Sequence, residues 1–192
     1  GYQGGNPSSV GADIFNDDTA PSNPIVAITG INHATPDGFS FVTLKDIDPN
    51  TVIYFTEKEY DNTTLLFNSG ETVFKFTSPG ATVLKGSVFV IKETASGVYS
   101  LNCSSGIANC GVILQIGTST LAFSTSGDTF YAYSDNDDDP ENGITEIYAV
   151  MYTLGGSSIS TTEDPSVIFP QAIVLDNFGT TTPNRTEYKF AS

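Results

Sequence analysis

Tryptophan is missing from the 192-residue chain, histidine and methionine occur once each, and cysteine twice. With His33 as the sole imidazole and no G-x-S-x-G elbow, a serine or cysteine nucleophile has no convincing base, so a hydrolytic triad is not expected. His33, set in INHATPDG, reads as a turn residue. Two cysteines and one distant histidine do not complete a tetrahedral zinc set. Basic residues are scarce too: 7 Lys and Arg against 22 Asp and Glu give a net charge of -15 and a pI near 4.1. Such a balance repels phosphate backbones and anionic lipid, so neither nucleic acid nor membrane insertion is expected. No apolar run approaches the ~20 residues of a membrane helix. No export signal is visible, which fits a chain read from a processed N-terminus.

What is abundant is Phe (13) and Tyr (9), set in short runs with Val, Ile and Thr between clusters of Gly, Pro, Asn and Asp. No run sustains a 3.6-residue period, and the pattern is that of β-strands. Strands are expected at 24–32, 39–46, 51–59, 71–78, 87–93, 111–116, 120–125, 128–135 and 144–153. In FSFVTLKD the alternation is imperfect, which suits a strand partly covered on both faces. Residues 155–166 form a polar loop, and 167–178 supply a closing strand or a short helical turn. The length suits one core, divided as an N-terminal arm over 1–23 and a β-sandwich domain over 24–192.

The phrases DGFSFVTLKDIDPNTVIYFTEKEYDN (37–62), GETVFKFTSP (70–79) and LAFSTSGDTFYAYS (121–134) resemble the lamin-tail-like, immunoglobulin-type β-sandwich modules of bacterial extracellular and surface proteins. The similarity spans about residues 24–153. It implies an all-β, immunoglobulin-like β-sandwich of about nine strands with an N-terminal extended arm, an extracellular location and no catalytic role.

Among candidate sites, Cys103 and Cys110 lie seven positions apart in a Ser, Gly and Asn-rich stretch that suits a turn, and a disulfide is expected in an oxidising compartment. Asp135, Asp137 and Asp139 recur at every second position and are followed by Glu141; hard oxygen ligands so spaced can converge on one structural Ca²⁺. The competing reading is a solvated acidic hairpin tip. A smaller cluster, Asp13, Asn16, Asp17 and Asp18, is weaker. Sequons stand at Asn62, Asn102 and Asn184, all in expected loops, with Asn62 and Asn184 the first expected to carry glycans. Glu57, Glu59 and Asp61 would share one face of a strand, which leaves two-carboxylate glycoside chemistry open, against the alternative of an exposed acidic face with Lys58 opposite.

The arm GYQGGNPSSVGADIFNDDTAPSNP is polar, and ordering it costs about 1–2 kcal/mol per residue, a cost that only docking offsets. Val10, Ala12 and Ile14 alternate ahead of Phe15, a stripe that could be laid on the chain's own sheet edge or on a neighbour's. The expectation is a structural subunit of an extracellular fibre or surface assembly, a homopolymer joined through this arm by strand addition. The alternative is a monomeric adhesion or carbohydrate-binding module that takes glycans through loops 57–68 and 134–143.

Overall fold

The computed structural model describes residues 24–175 apart from 34, 105, 118, 125–126, 138, 140–141 and 154–157, together with the backbone of 185–187. Runs of β-branched and aromatic residues become strands where Gly, Pro and Asn clusters stop them. These are β1 (Val26–Asn32), β2 (Gly38–Thr43), β3 (Val52–Thr56), β4 (Tyr60–Asp61), β5 (Leu66–Phe67), β6 (Val73–Thr77) and β7 (Val88–Ala95). There follow β8 (Val98–Cys103), β9 (Val112–Ile116), β10 (Thr129–Asp135), β11 (Ile144–Tyr152), a 3-10 turn at Pro165–Val167, β12 (Ile173–Leu175) and β13 (Arg185–Glu187). Among the described residues no helix is long and apolar enough to cross a membrane.

The strands form an all-β sandwich. One sheet has the order β13-β1-β2-β7-β8, the other β12-β11-β10-β3-β6-β9, and β4 and β5 make a separate hairpin. All pairings are antiparallel except β11 with β12. The chain passes from the edge of the first sheet to the edge of the second between β8 and β9, where the Cys103–Cys110 disulfide closes the crossing (Cα–Cα 5.6 Å). Gly111 then enters β9 at φ +85°, with Thr77 O where a Cβ would stand, so only glycine fits between the disulfide and β6.

Two apolar layers follow from strand alternation. Ile53 and Phe55 of β3, Phe74 and Phe76 of β6, and Phe130 and Ala132 of β10 face the first sheet, where they meet Ile28, Phe39, Phe41, Phe89 and Ile91. The intervening residues Tyr54, Val73, Tyr131 and Tyr133 face outward, yet they are buried too, beneath Tyr60 and Phe67 of the hairpin and Ile159. The middle of sheet two, at β3 and β10, is thus covered on both faces, which is why TVIYFT shows no clean polar alternation. Phe dominates the inter-sheet layer. Tyr dominates the outer one, where Tyr131 Oη can donate to Glu163 O at 3.0 Å.

Four expectations are revised. The described part of 120–125 is no strand, although Leu121 and Phe123 do point into the core. Val98–Cys103, absent from the expected strands, pairs with β7, so Cys103 ends a strand and only the residues after it loop. The described part of 167–178 supplies the strand alternative as β12 from Ile173, while the 3-10 turn comes earlier, at Pro165–Val167, largely within the segment expected as a polar loop. The expected strand 51–59 stops at Thr56: Thr56 Oγ1 donates to Thr72 O (2.9 Å) and accepts from Lys58 N (3.1 Å), which turns the chain out of the ladder.

Candidate functional site

This early stop places Glu57 inside the protein rather than on an exposed strand face. Glu57 is 3% exposed and Lys58 5%, so of the expected exposed acidic face Glu57 is buried, with Glu59 and Asp61 half-buried. Glu57, Glu59 and Asp61 do not share a strand, because β3 ends before Glu57 and β4 begins at Tyr60. Glu57 Oε2 accepts from Ala122 N at 3.1 Å. Asp128 accepts from Ser124 N (3.1 Å) and Thr129 N (2.9 Å). Glu71, at the entry to β6, keeps Oε2 buried without a hydrogen-bond partner.

Burial is the first cause of unusual acidity here. It pushes the Glu57 carboxyl up to about 7, with Asp128 and Asp37 adding repulsion and the Ala122 and Thr72 backbones opposing. Glu71 is likewise pushed up to about 7, by burial and then by Glu59, Asp128 and Glu57, with Lys58 opposing. Asp128 rises to about 6 from burial and from Glu59 and Glu163, against its two N–H donors. Asp37 is raised by burial and Glu93, and Glu163 by burial and Glu59. In low dielectric each ionised carboxyl opposes the next.

Beside this group the loop of residues 57–68 opens an acidic hollow, lined by Glu59, Asp61, Thr63, Asn68, Thr162 and Glu163. Asp61 Oδ1 accepts from Thr63 N at 2.7 Å, and that bond holds its carboxyl below the usual range. Asn62 Nδ2 donates to both Thr161 O (2.8 Å) and Asp164 O (2.7 Å). The atom that would carry a glycan at Asn62 thus spends both hydrogens clamping the 160–164 turn. Asn102 stands exposed on β8 opposite Val90, on a strand and not in a loop. Asn184 lies outside the described residues, as do Val10, Ala12, Ile14 and Phe15 of the arm and the Asp13, Asn16, Asp17 and Asp18 cluster. His33 follows β1 and sits 6.1 Å, ring to ring, from Phe123; burial lowers its pKa.

The tip between β10 and β11 organises itself through successive short turns. Asp137 N donates to Asp135 Oδ1 (2.9 Å), Asp139 N to Asp137 Oδ1 (3.0 Å) and Asn142 Nδ2 to Asp139 Oδ2 (2.6 Å). Glu141 lies outside the described residues. Among the described residues no three acidic, His or Cys side chains are gathered as a metal ion requires.

Glu57 is buried and hydrogen-bonded to the backbone, while Glu59 and Asp61 line an open hollow. Sequence reasoning missed Glu71 and Asp128. Each sits just before a strand, ahead of Val73 and Thr129, and no local pattern in the sequence marks either as buried. No family model, curated protein or solved structure matches the chain.

Proposed function

We propose that this protein is a structural subunit of an extracellular fibre or surface assembly, joined to copies of itself by strand addition of its N-terminal arm. The observation that carries the reading is the free side of β9. This strand ends the six-stranded sheet and bonds only β6 among the described residues, and its Val112 and Leu114 are 52% and 56% exposed. Long apolar edge strands are templates for another strand, and their period of two matches Val10, Ala12 and Ile14 of the arm. Secretion is supported by the disulfide, since such bonds persist in oxidising compartments, and by the resemblance to lamin-tail-like, immunoglobulin-type modules. The test uses light scattering. Removing residues 1–20, or changing Leu114 to Lys, is expected to leave a folded monomer where the intact chain forms larger species. An unchanged mass in both variants sinks the reading.

A second reading, an adhesion module for glycans, is favoured by the acidic hollow on loop 57–68, whose carboxylates can accept from sugar hydroxyls. Binding of the monomer to immobilised glycans, lost in Glu59→Ala, is its signature.

Calcium is the ion we propose for the tip at Asp135, Asp137 and Asp139, as a structural stiffener. Millimolar calcium is expected to raise the melting temperature by several degrees, since about 1 kcal/mol shifts a domain of this size by about 2–4 °C. An identical melting temperature in calcium and in chelator means that the tip's own hydrogen bonds organise it alone.

A further inference from the structure

The segment from Ser119 to Ser124 behaves as a strap across one end of the sandwich. Instead of a ladder, it gives its backbone N–H groups to side chains: Leu121 to Tyr99 Oη (3.0 Å), Ala122 to Glu57 Oε2 (3.1 Å) and Ser124 to Asp128 Oδ2 (3.1 Å). Ser119 Oγ donates to Gly70 O (2.8 Å), and Ser119 O accepts from Thr72 Oγ1 and Gln115 Nε2. Between these tethers, Leu121 and Phe123 insert into the inter-sheet core, Phe123 lying 5.1 Å from Phe130. Asp37 also accepts a hydrogen bond from the Phe123 backbone, so the strap's middle is fastened to the fold by three carboxyls and a phenol, and its apolar residues are inserted while those tethers hold.

We propose that Glu57, Glu71 and Asp128 form a proton-operated latch, which holds the 119–124 strap on the sandwich while these carboxyls are protonated and loosens it as they ionise together. A neutral carboxyl still accepts an N–H through its carbonyl oxygen, so protonation keeps the tethers. Ionisation keeps them too, but sets like charges against one another in a buried group. Asp37 from the β1–β2 connection, Glu93 from β7, Glu59 from the turn after β3 and Glu163 from the 160–164 turn add to that repulsion. Lys58 opposes it, Tyr99 faces the group from β8 with its own acidity lowered, and burial lowers the pKa of His33 beside Phe123. Because the three carboxyls hold protons more tightly in the native state than in the unfolded chain, their stabilising effect is complete below the usual carboxylate range. It is lost as pH rises through about 6 to 7.

Amide hydrogen exchange on the intact chain reads the latch directly. Corrected for intrinsic rates, protection at Ala122 and Ser124 is expected to fall by about tenfold or more between pH 5 and pH 8, the scale of one unit of differential proton affinity. Amides of β2 are expected to change less, and an apolar dye should gain access to Leu121 and Phe123 at the higher pH. In Glu57→Gln, which keeps the acceptor without the charge, Ala122 should remain protected at pH 8. Protection that does not vary with pH, or that varies equally in wild type and Glu57→Gln, overturns the proposal. Should the variant fail to fold, carboxyl-carbon NMR of the wild type decides: ordinary carboxylate titration of all three groups overturns the latch, and elevated titration coincident with strap exchange upholds it.

Discussion

Changing Phe41 to alanine is expected to lower the unfolding free energy by about 3–5 kcal/mol, read as a lower urea midpoint at constant slope. Phe41 is fully buried at the centre of β2 and touches both sheets: Phe55 at 4.8 Å, Phe76 at 5.2 Å and Phe89, stacked, at 4.9 Å between ring centroids. Its neighbours are rings held by strand pairs on both sides, so the void cannot close by moving one side chain. Domains of this kind are stable by only about 5–15 kcal/mol, and the variant should stand near the limit of folding at ambient temperature. A loss under about 1 kcal/mol would instead show that the Phe layer repacks.

The second large effect is expected from Cys103→Ser with Cys110→Ser. A loop closed over a separation of 7 residues restricts the unfolded chain by about 2.5 kcal/mol in the chain-entropy treatment. The native state loses a further constraint, because the bond ties the end of β8 in one sheet to the approach to β9 in the other. Thermal unfolding of the double variant should show the deficit. Faster amide exchange is expected along β8 and β9 and not along β10 and β11. Uniform acceleration over the whole chain would argue that the bond acts on the unfolded state alone.

The all-β class was legible in the sequence because runs such as TVIYFT and TFYAYS have no other way to bury their rings. The second, outer layer was not legible. Tyr54 and Tyr133 look like solvent-facing positions of half-buried strands until Phe67 is folded over them from a distant hairpin, an event of tertiary packing. Strand 120–125 was misread for a related reason: Leu121 and Phe123 alternate as in a strand, but Leu121 N and Ala122 N donate to the Tyr99 and Glu57 side chains, which no local pattern announces. The disulfide was read correctly from spacing, while its place between two sheets was hidden because VYSLNC carries too many polar residues to stand out as a strand. Glu57 looked exposed since it alternates with Glu59 and Asp61. A single hydroxyl, Thr56 Oγ1, ends the alternation by taking Lys58 N.

The sorting of rings between the two layers has a spectroscopic consequence. With no Trp in the chain, near-ultraviolet absorbance is dominated by Tyr and Phe, and among the described residues most of the buried Tyr lie in the outer layer and most of the buried Phe between the sheets, with Phe67 and Tyr148 as exceptions. Tyr54, Tyr131 and Tyr133, with Tyr60 of the hairpin itself, sample the outer layer, whereas Phe39, Phe41, Phe55, Phe74, Phe76, Phe89 and Phe130 sample the space between the sheets. Derivative absorbance can follow both bands during one melt without any label. Superimposed transitions would mark one cooperative unit; a tyrosine band that moves first would mark the hairpin peeling from a sandwich still closed.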